Sequence, residues 1–366
     1  MPYDQKRIVD ALRAFERGEI VVVMDDDGRE NEGDLIVAAV HCTPEKMAFI
    51  VRHTSGIVCA PMPREDARRL NLAPMVAEND SAHTTAFTVS VDFRHGTTTG
   101  ISADDRTATV RNLANSNVGP SDFSRPGHIF PLVAREGGVL MRSGHTEAAV
   151  DLCRLAGLPP VGVICELVND DGTVKRGPQV TEFAEAHGLK QVSVADLIAY
   201  RQRQETLIEC VASFDVDTAG GSARAHAYTL PWDPMQHLAV VFGDIRDGVD
   251  VPVRLHPENV VTDVFGGSSR LDAIMKEMGE QKRGVIVYLR EGSVGVSHNA
   301  RNRPSQSDQE THAEALRRES EWREIGLGAQ ILKHLGISSI VLLSSRERHY
   351  IGLEGFGIRI ARTEIV

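Results

Sequence analysis

Ile20-Val21-Val22-Val23-Met24, running into Asp25-Asp26-Asp27-Gly28-Arg29-Glu30-Asn31-Glu32-Gly33-Asp34, is the stretch that orients the whole reading. A β-branched apolar run of this kind predicts a buried strand, and Gly28 and Gly33 among the acids predict the loop after it. Six of the ten residues from Asp25 to Asp34 are acidic. Crowding like charges into one loop is unfavourable unless a cation sits among them. Hard divalent cations take oxygen ligands of this sort, and a solvated acidic turn is the plainer alternative. Arg29 inside the loop, and a second set of polar residues further along, tip the balance toward a cation.

With 366 residues, the chain is long enough for two domains, each with its own core. Its hydrophobic share of 42% and charged share of 25% are those of an ordinary globular protein. A net charge of −11 argues against general nucleic-acid binding, which rests on neutralised phosphates, and leaves room for a small anionic substrate held by local arginines. Nothing approaches the roughly 18 apolar residues of a membrane span, and Met-Pro-Tyr-Asp-Gln-Lys-Arg has no signal-peptide core. Five scattered cysteines (Cys42, Cys59, Cys153, Cys165, Cys210) without a C-x-x-C pair suit free thiols in a reducing compartment. A cytoplasmic protein is expected.

Working outward from the opening stretch, strand-like and helix-like segments alternate, which predicts an α/β protein. Helices are expected at 7–17, after the Thr43-Pro44 start, at 64–70, from Ser102 to about Asn115, at 146–155, 179–187 and 192–203. Strands are expected at 19–24, 35–40, 56–60, 85–92 and 161–168. Ser124-Arg125-Pro126-Gly127-His128-Ile129-Phe130-Pro131 reads as a stiff Pro/Gly loop. The polar tail Arg201-Gln202-Arg203-Gln204 sets a boundary, giving domains 1–204 and 205–366. The second restarts with strands at 208–215, 223–229, 238–242 and 285–289, then a helix at 328–335 and strands at 340–343 and 358–362. Ser297 to Thr311 has almost no apolar residue and reads as a solvated loop.

Three clusters in the first domain can carry chemistry together. Arg29, Glu30 and Asp34 are the best-placed members of the acidic loop. Arg142-Ser143-Gly144-His145-Thr146 lies where an apolar segment turns into a helix; N–H groups at a helix start, with an arginine and a hydroxyl, make a phosphate seat. His145 can ligate a metal through one ring nitrogen. Glu166, closing the Val161–Cys165 run, suits a general acid or base. His128, in its stiff surroundings, suits a side chain held in one geometry. Each also has a bland reading: a structural histidine, an exposed Arg142, and Thr146 as a helix N-cap.

Taken together the motifs resemble 3,4-dihydroxy-2-butanone-4-phosphate synthase. The matching stretches are Asp25 to Asp34, Thr98-Thr99-Gly100-Ile101-Ser102-Ala103-Asp104-Asp105-Arg106, Arg125-Pro126-Gly127-His128-Ile129-Phe130-Pro131-Leu132, and Gly144-His145-Thr146-Glu147-Ala148-Ala149-Val150-Asp151-Leu152. The resemblance implies an α/β sandwich that converts ribulose 5-phosphate to 3,4-dihydroxy-2-butanone 4-phosphate and formate with Mg²⁺ (or Mn²⁺), as a homodimer. It implies that Glu30 and His145 hold the metal, that Arg29 and Asp34 contact the sugar, and that Arg142, Ser143, Gly144, His145 and Thr146 face the phosphate. His128 and Glu166 would be the acid/base groups. The residue types suit the chemistry, because enolising a keto-sugar builds negative charge that a divalent cation stabilises, with proton transfers at each step.

Residues 205–366 resemble a GTP cyclohydrolase II domain through Val253-Arg254-Leu255-His256-Pro257-Glu258, Asp263-Val264-Phe265-Gly266, Arg283 to Arg290 and Gly326 to Leu332. That family holds zinc with three thiolates, and the corresponding positions here read Asn259, Leu271 and Ala273. The expectation is a second domain without zinc or GTP turnover. The alternatives are a bifunctional enzyme that keeps GTP cyclohydrolase II activity, and a non-catalytic protein in which both halves have decayed.

Overall fold

Val21, Val22 and Val23 are all fully buried, so the opening apolar run is covered on both faces, as a continuous rather than alternating pattern demands. The computed structural model describes residues 5–25, 30–81, 84–205, 208–231, 233–265, 270–290, 325–344 and 357–366. Arg29 and the polar stretch 297–311 lie outside them. Among the described residues the chain divides into two compact units, the first ending at Arg201 and the second beginning at Gln202.

The first unit runs α1 (Gln5–Glu16), β1 (Val21–Met24), β2 (Gly33–Ala38), α2 (Pro44–His53), β3 (Cys59–Met62), α3 (Arg64–Arg69), β4 (Val91–Phe93), α4 (Ala103–Leu113), β5 (Phe123–Val133), α5 (His145–Leu155), β6 (Gly162–Glu166), α6 (Pro178–Ala186), β7 (Lys190–Ser193) and α7 (Val194–Gln204). Its sheet has the order β4-β5-β3-β6-β2-β1-β7. One face carries Val22, Leu35, Val37, Val163 and Cys165 into a core shared with Met47 and Ile50 of α2, Val110 and Leu113 of α4 and Val180 and Phe183 of α6. The alternate residues Val21, Val23 and Ile36 point the other way, by the two-residue period of a strand. Two helix starts follow their capping chemistry: the Thr43 hydroxyl accepts the Lys46 N–H at 3.4 Å ahead of Pro44, and that of Ser102 accepts the Asp105 N–H at 3.1 Å.

Several elements differ from expectation. Only Val91–Phe93 of the 85–92 run is a strand; Phe87 and Thr88 make isolated bridges to Leu132 and Pro74, and Thr84 turns the chain with φ 53°. The segment around His128 is not a free loop but part of β5, whose pairing to β4 jumps from Asp92↔Ser124 to Val91↔Ile129. Residues 125–128 are therefore squeezed out between paired neighbours, which is where Pro126 and Gly127 are tolerated in a strand. The strand at Lys190–Ser193, whose outer residues are polar, carries too little apolar pattern to be seen in the sequence.

The second unit runs β8 (Glu209–Thr218), β9 (Gly221–Leu230), β10 (Asp233–Gly243), β11 (Val251–Pro257), α8 (Val260–Val264), α9 (Arg270–Gln281), β12 (Arg283–Leu289), α10 (325–334), β13 (Ser339–Ser344) and β14 (Arg359–Ile365). Its sheet has the order β14-β13-β11-β12-β10-β9-β8, parallel from β14 to β12 and antiparallel beyond. β11, α8 and α9 are additions to the sequence reading.

Candidate active site

The sheet register assembles the first cluster. Val23 of β1 pairs with Asp34 of β2, and Asp34 pairs with Glu166 of β6, so the three occupy one row of adjacent strands and share a face. His145 is the first residue of α5, and its Nε2 lies 3.1 Å from the Val23 carbonyl oxygen. A carbonyl only accepts, so Nε2 carries the hydrogen and Nδ1 is left as the donor atom for a cation. Nδ1 lies 3.7 Å from Asp34 Oδ1, and both side chains are buried.

Asp25, Glu30 and His145 each offer a ligand atom within 4.8 Å of the others. Two hard carboxylates and a neutral imidazole fit a divalent cation of the magnesium or manganese type. Asp25 is the member that sequence reasoning passed over. It sits directly after β1, is 2% exposed, and its carboxylate accepts the Glu32 N–H at 2.9 Å and the Glu30 N–H at 3.3 Å, so the residue that folds the acidic loop also faces the donor cluster. The loop is tied from outside by Arg176, whose Nη2 reaches Glu32 Oε1 at 2.7 Å, and by the Gly177 N–H on the Asn31 carbonyl.

Glu166 accepts the Ser55 hydroxyl at 2.8 Å, and Ser55 in turn lies 3.4 Å from Cys165 Sγ. Cys59 of β3 is close enough to feel this charge. Burial first, then the carboxylate of Glu166, the Cys165 sulfur and Asp34 push its thiol well above the usual range, so it is a neutral packing group.

The expected phosphate seat differs in detail from its bland alternatives. Arg142 is 8% exposed rather than a surface arginine, and the α5 N-cap is Gly144, not Thr146. Arg142 Nη1 donates to Glu147 Oε2 at 2.7 Å, and Nη2 to the Thr85 hydroxyl at 3.2 Å. A Cβ on Gly144 would fall 2.5 Å from that Nη1, so glycine is what lets the guanidinium pack over the helix start. Gly144 offers no side-chain cap, and the first-turn N–H groups of α5 have no helical acceptor. Thr146 is buried in that turn and Ser143 half-buried before it.

His128 belongs to a second cluster, on the far side of β3 from Glu166. Its backbone N–H donates to Asp92 Oδ1 at 2.8 Å and its Nδ1 lies 2.7 Å from Asp92 Oδ2. Nothing in the sequence marks Asp92, because the partner lies in a different strand.

In the second unit the three positions at issue hold other roles. The Asn259 side chain accepts the Thr262 N–H at 3.1 Å, starting α8; Leu271 packs against the core of Ile274, Met278 and Phe242; Ala273 is exposed. Nearby, Asp263 accepts His256 Nε2 at 3.0 Å, the Tyr288 hydroxyl at 2.8 Å and the Asn259 N–H at 2.9 Å. Burial would raise the Asp263 carboxyl, but these donors hold it below the ordinary value. Cys210 lies on the edge strand β8, paired with Tyr228.

Fold and side chains define an α/β enzyme with a mostly buried group of donor atoms able to take a hard cation and a separate imidazole–carboxylate pair. Residues 9–200 match the 3,4-dihydroxy-2-butanone 4-phosphate synthase family and residues 209–365 match GTP cyclohydrolase II. The monofunctional riboflavin biosynthesis protein RIBA 2, chloroplastic, of Arabidopsis thaliana is 47% identical over 97% of this chain and 75% of its own length. The riboflavin biosynthesis protein RibBA of Bacillus subtilis (strain 168) is 43% identical over 97% and 92%. RibBX, a two-domain 3,4-dihydroxy-2-butanone 4-phosphate synthase from A. baumannii, superposes with a TM-score of 0.79 at 36% identity, covering 98% of each chain. A 3,4-dihydroxy-2-butanone 4-phosphate synthase solved with two magnesium ions covers 53% of this chain and 96% of its own, with a TM-score of 0.52 and 49% identity. The chain belongs to the 3,4-dihydroxy-2-butanone 4-phosphate synthase family, lyases of riboflavin biosynthesis.

Proposed function

We propose that residues 1–204 convert D-ribulose 5-phosphate to L-3,4-dihydroxy-2-butanone 4-phosphate and formate, and that the domain at 205–366 does not open GTP. The observation that carries the reading is the convergence of Asp25, Glu30 and His145 donor atoms within 4.8 Å. Glu30 and His145 hold Mg²⁺ or Mn²⁺, with Asp25 beside them; the bound ion supplies Lewis-acid stabilisation of the negative charge that enolisation creates. Asp34 and Arg29 orient the sugar, and the Arg142–Thr146 segment takes its phosphate end at the start of α5. His128 moves protons at its open ring nitrogen, and Glu166, steadied by Ser55, serves as the second acid/base group. The enzyme works in this reading as a cytoplasmic homodimer.

The lack of thiolates at Asn259, Leu271 and Ala273 supports a second domain without zinc, since a catalytic zinc needs three protein ligands. The bifunctional alternative draws on the related bifunctional riboflavin biosynthesis protein RIBA 1, chloroplastic, of Arabidopsis thaliana, 47% identical over 96% of this chain. Purified protein given ribulose 5-phosphate and Mg²⁺, then GTP and Zn²⁺, with zinc measured by elemental analysis, separates the two. Formate without GTP turnover is expected. Turnover of GTP would establish the bifunctional reading, and no formate would overturn the synthase assignment.

A further inference from the structure

We propose that Asp92 is a positioning residue that fixes His128 with its proton on Nδ1, so that Nε2 enters the reaction as a proton acceptor. This deepens, and rests on, the assignment of His128 to proton transfer.

The carboxylate grips one residue twice. Asp92 Oδ1 accepts the His128 backbone N–H at 2.8 Å and Oδ2 accepts Nδ1–H at 2.7 Å. An ionised carboxylate has no hydrogen to give, so Nδ1 must supply one, and in the neutral ring the lone pair then sits on Nε2. The exposures agree: the Asp92 side chain is 12% exposed and that of His128 is 43%, so the ring is anchored at its Nδ1 edge and open elsewhere.

Two glycines allow the backbone to pass this close to the pair. Gly127 brings the β5 backbone so close to β4 that a Cβ there would lie 2.0 Å from the Val91 carbonyl carbon. Gly100, at φ +88°, passes over the contact itself; a Cβ would stand 2.1 Å from Asp92 Oδ2 and 2.7 Å from His128 Nδ1. The turn bearing Gly100 is pinned in its own right. Asp105 accepts the Thr98 N–H at 3.0 Å, the Thr98 hydroxyl at 2.8 Å and the Gly100 N–H at 3.0 Å. A ring anchored at its Nδ1 edge beside fixed backbone is preorganised in the way proton transfer rewards.

The step balances without a co-reactant. The Nε2 lone pair takes a proton from the substrate, the bonding pair stays on the substrate as an enolate, and the Nδ1 proton stays on the ring, donated to Asp92 Oδ2. The imidazolium so formed is stabilised by the adjoining carboxylate and returns its Nε2 proton at a later step.

Asp92→Asn tests this. An asparagine keeps the shape, but its oxygen can hold the backbone N–H while its amide donates to Nδ1, which moves the ring hydrogen to Nε2 and blocks the acceptor. Formate release should lose at least about 100-fold in kcat with KM little changed. Asp92→Glu should recover part of the loss, and Mg²⁺ affinity by calorimetry should not move in either. ¹⁵N NMR of the histidine ring should show Nδ1–H in the wild type and Nε2–H in Asp92→Asn. A wild-type ring protonated at Nε2, or an Asp92→Asn enzyme with normal kcat, would overturn the inference while leaving the synthase reading intact. Wild-type protein that releases no formate would instead overturn that reading, and the NMR result would still decide the tautomer.

Discussion

Gly100→Ala is the substitution for which the structure gives the most definite expectation. The new methyl carbon would lie 2.1 Å from Asp92 Oδ2, against roughly 3.5 Å for a relaxed non-bonded contact. The carboxylate must therefore retreat by about 1.4 Å, far enough to break its bond to His128. Misplacement on the 1 Å scale costs about 100-fold in turnover. Holding alanine in the left-handed region adds about 1–2 kcal/mol, and weakening a charge-assisted hydrogen bond about 1.5–3 kcal/mol. A combined loss of about 2.5–5 kcal/mol corresponds to a melting point lower by about 5–20 °C in a unit of this size. Gly157→Ala is the matched control, since Gly157 also has positive φ (+68°) but nothing within 4 Å of its would-be Cβ. It should melt slightly lower and turn over normally. The assay is formate release with Mg²⁺ beside thermal unfolding of both variants. Gly100→Ala with wild-type kcat would refute the claim that the Asp92–His128 contact must be undisturbed.

Chelating divalent cations should abolish formate release and added Mg²⁺ should restore it; Asp25→Asn should weaken Mg²⁺ binding about 10–100-fold in a calorimetric titration, because it loosens the loop as well as removing a donor. Arg201→Met should destabilise the first unit by about 3–5 kcal/mol at neutral pH, since Arg201 Nη1 lies 2.8 Å from the buried Asp151 carboxylate. Burial already pushes Asp151 up from 3.8 to about 6 against the pull of Arg201. The native state thus holds a proton that the unfolded chain has released, and stability falls as pH rises through that window. Without Arg201 the window extends upward, so the melting deficit of the variant should be larger at pH 8 than at pH 5, and an equal deficit would refute the coupling. Cys59 should resist iodoacetamide at pH 8 in the native protein and react once it is unfolded, scored by mass spectrometry of the modified peptide.

The sequence made the central strands and the capped helices legible because their signals are local. Val21–Met24 is an unbroken apolar run, Thr43-Pro44 and Ser102 carry capping chemistry, and the turn from Gly144 into α5 announces itself. Arg125–His128 reads as a loop because Pro126 and Gly127 are accommodated only by a pairing jump in β5, which no short window displays. The donor cluster was half legible: Glu30 and His145 stand out, whereas Asp25 looks like one acid among six until the loop folds around it. Asp92 was invisible because its meaning depends on a residue 36 positions away.

The row Val23–Asp34–Glu166 sits on the same strands as Val22, Leu35 and Cys165, displaced by a single residue. Shifting β2 by one position would send Asp34 into the greasy layer and Leu35 into the layer of Glu166 and His145, so a slipped chain loses its packing and the proposed site in the same event. Accuracy at the working surface is thus inherited from the fit of the interior. In the native register these carboxylates are aimed by the same pairing that buries Leu35 and Cys165.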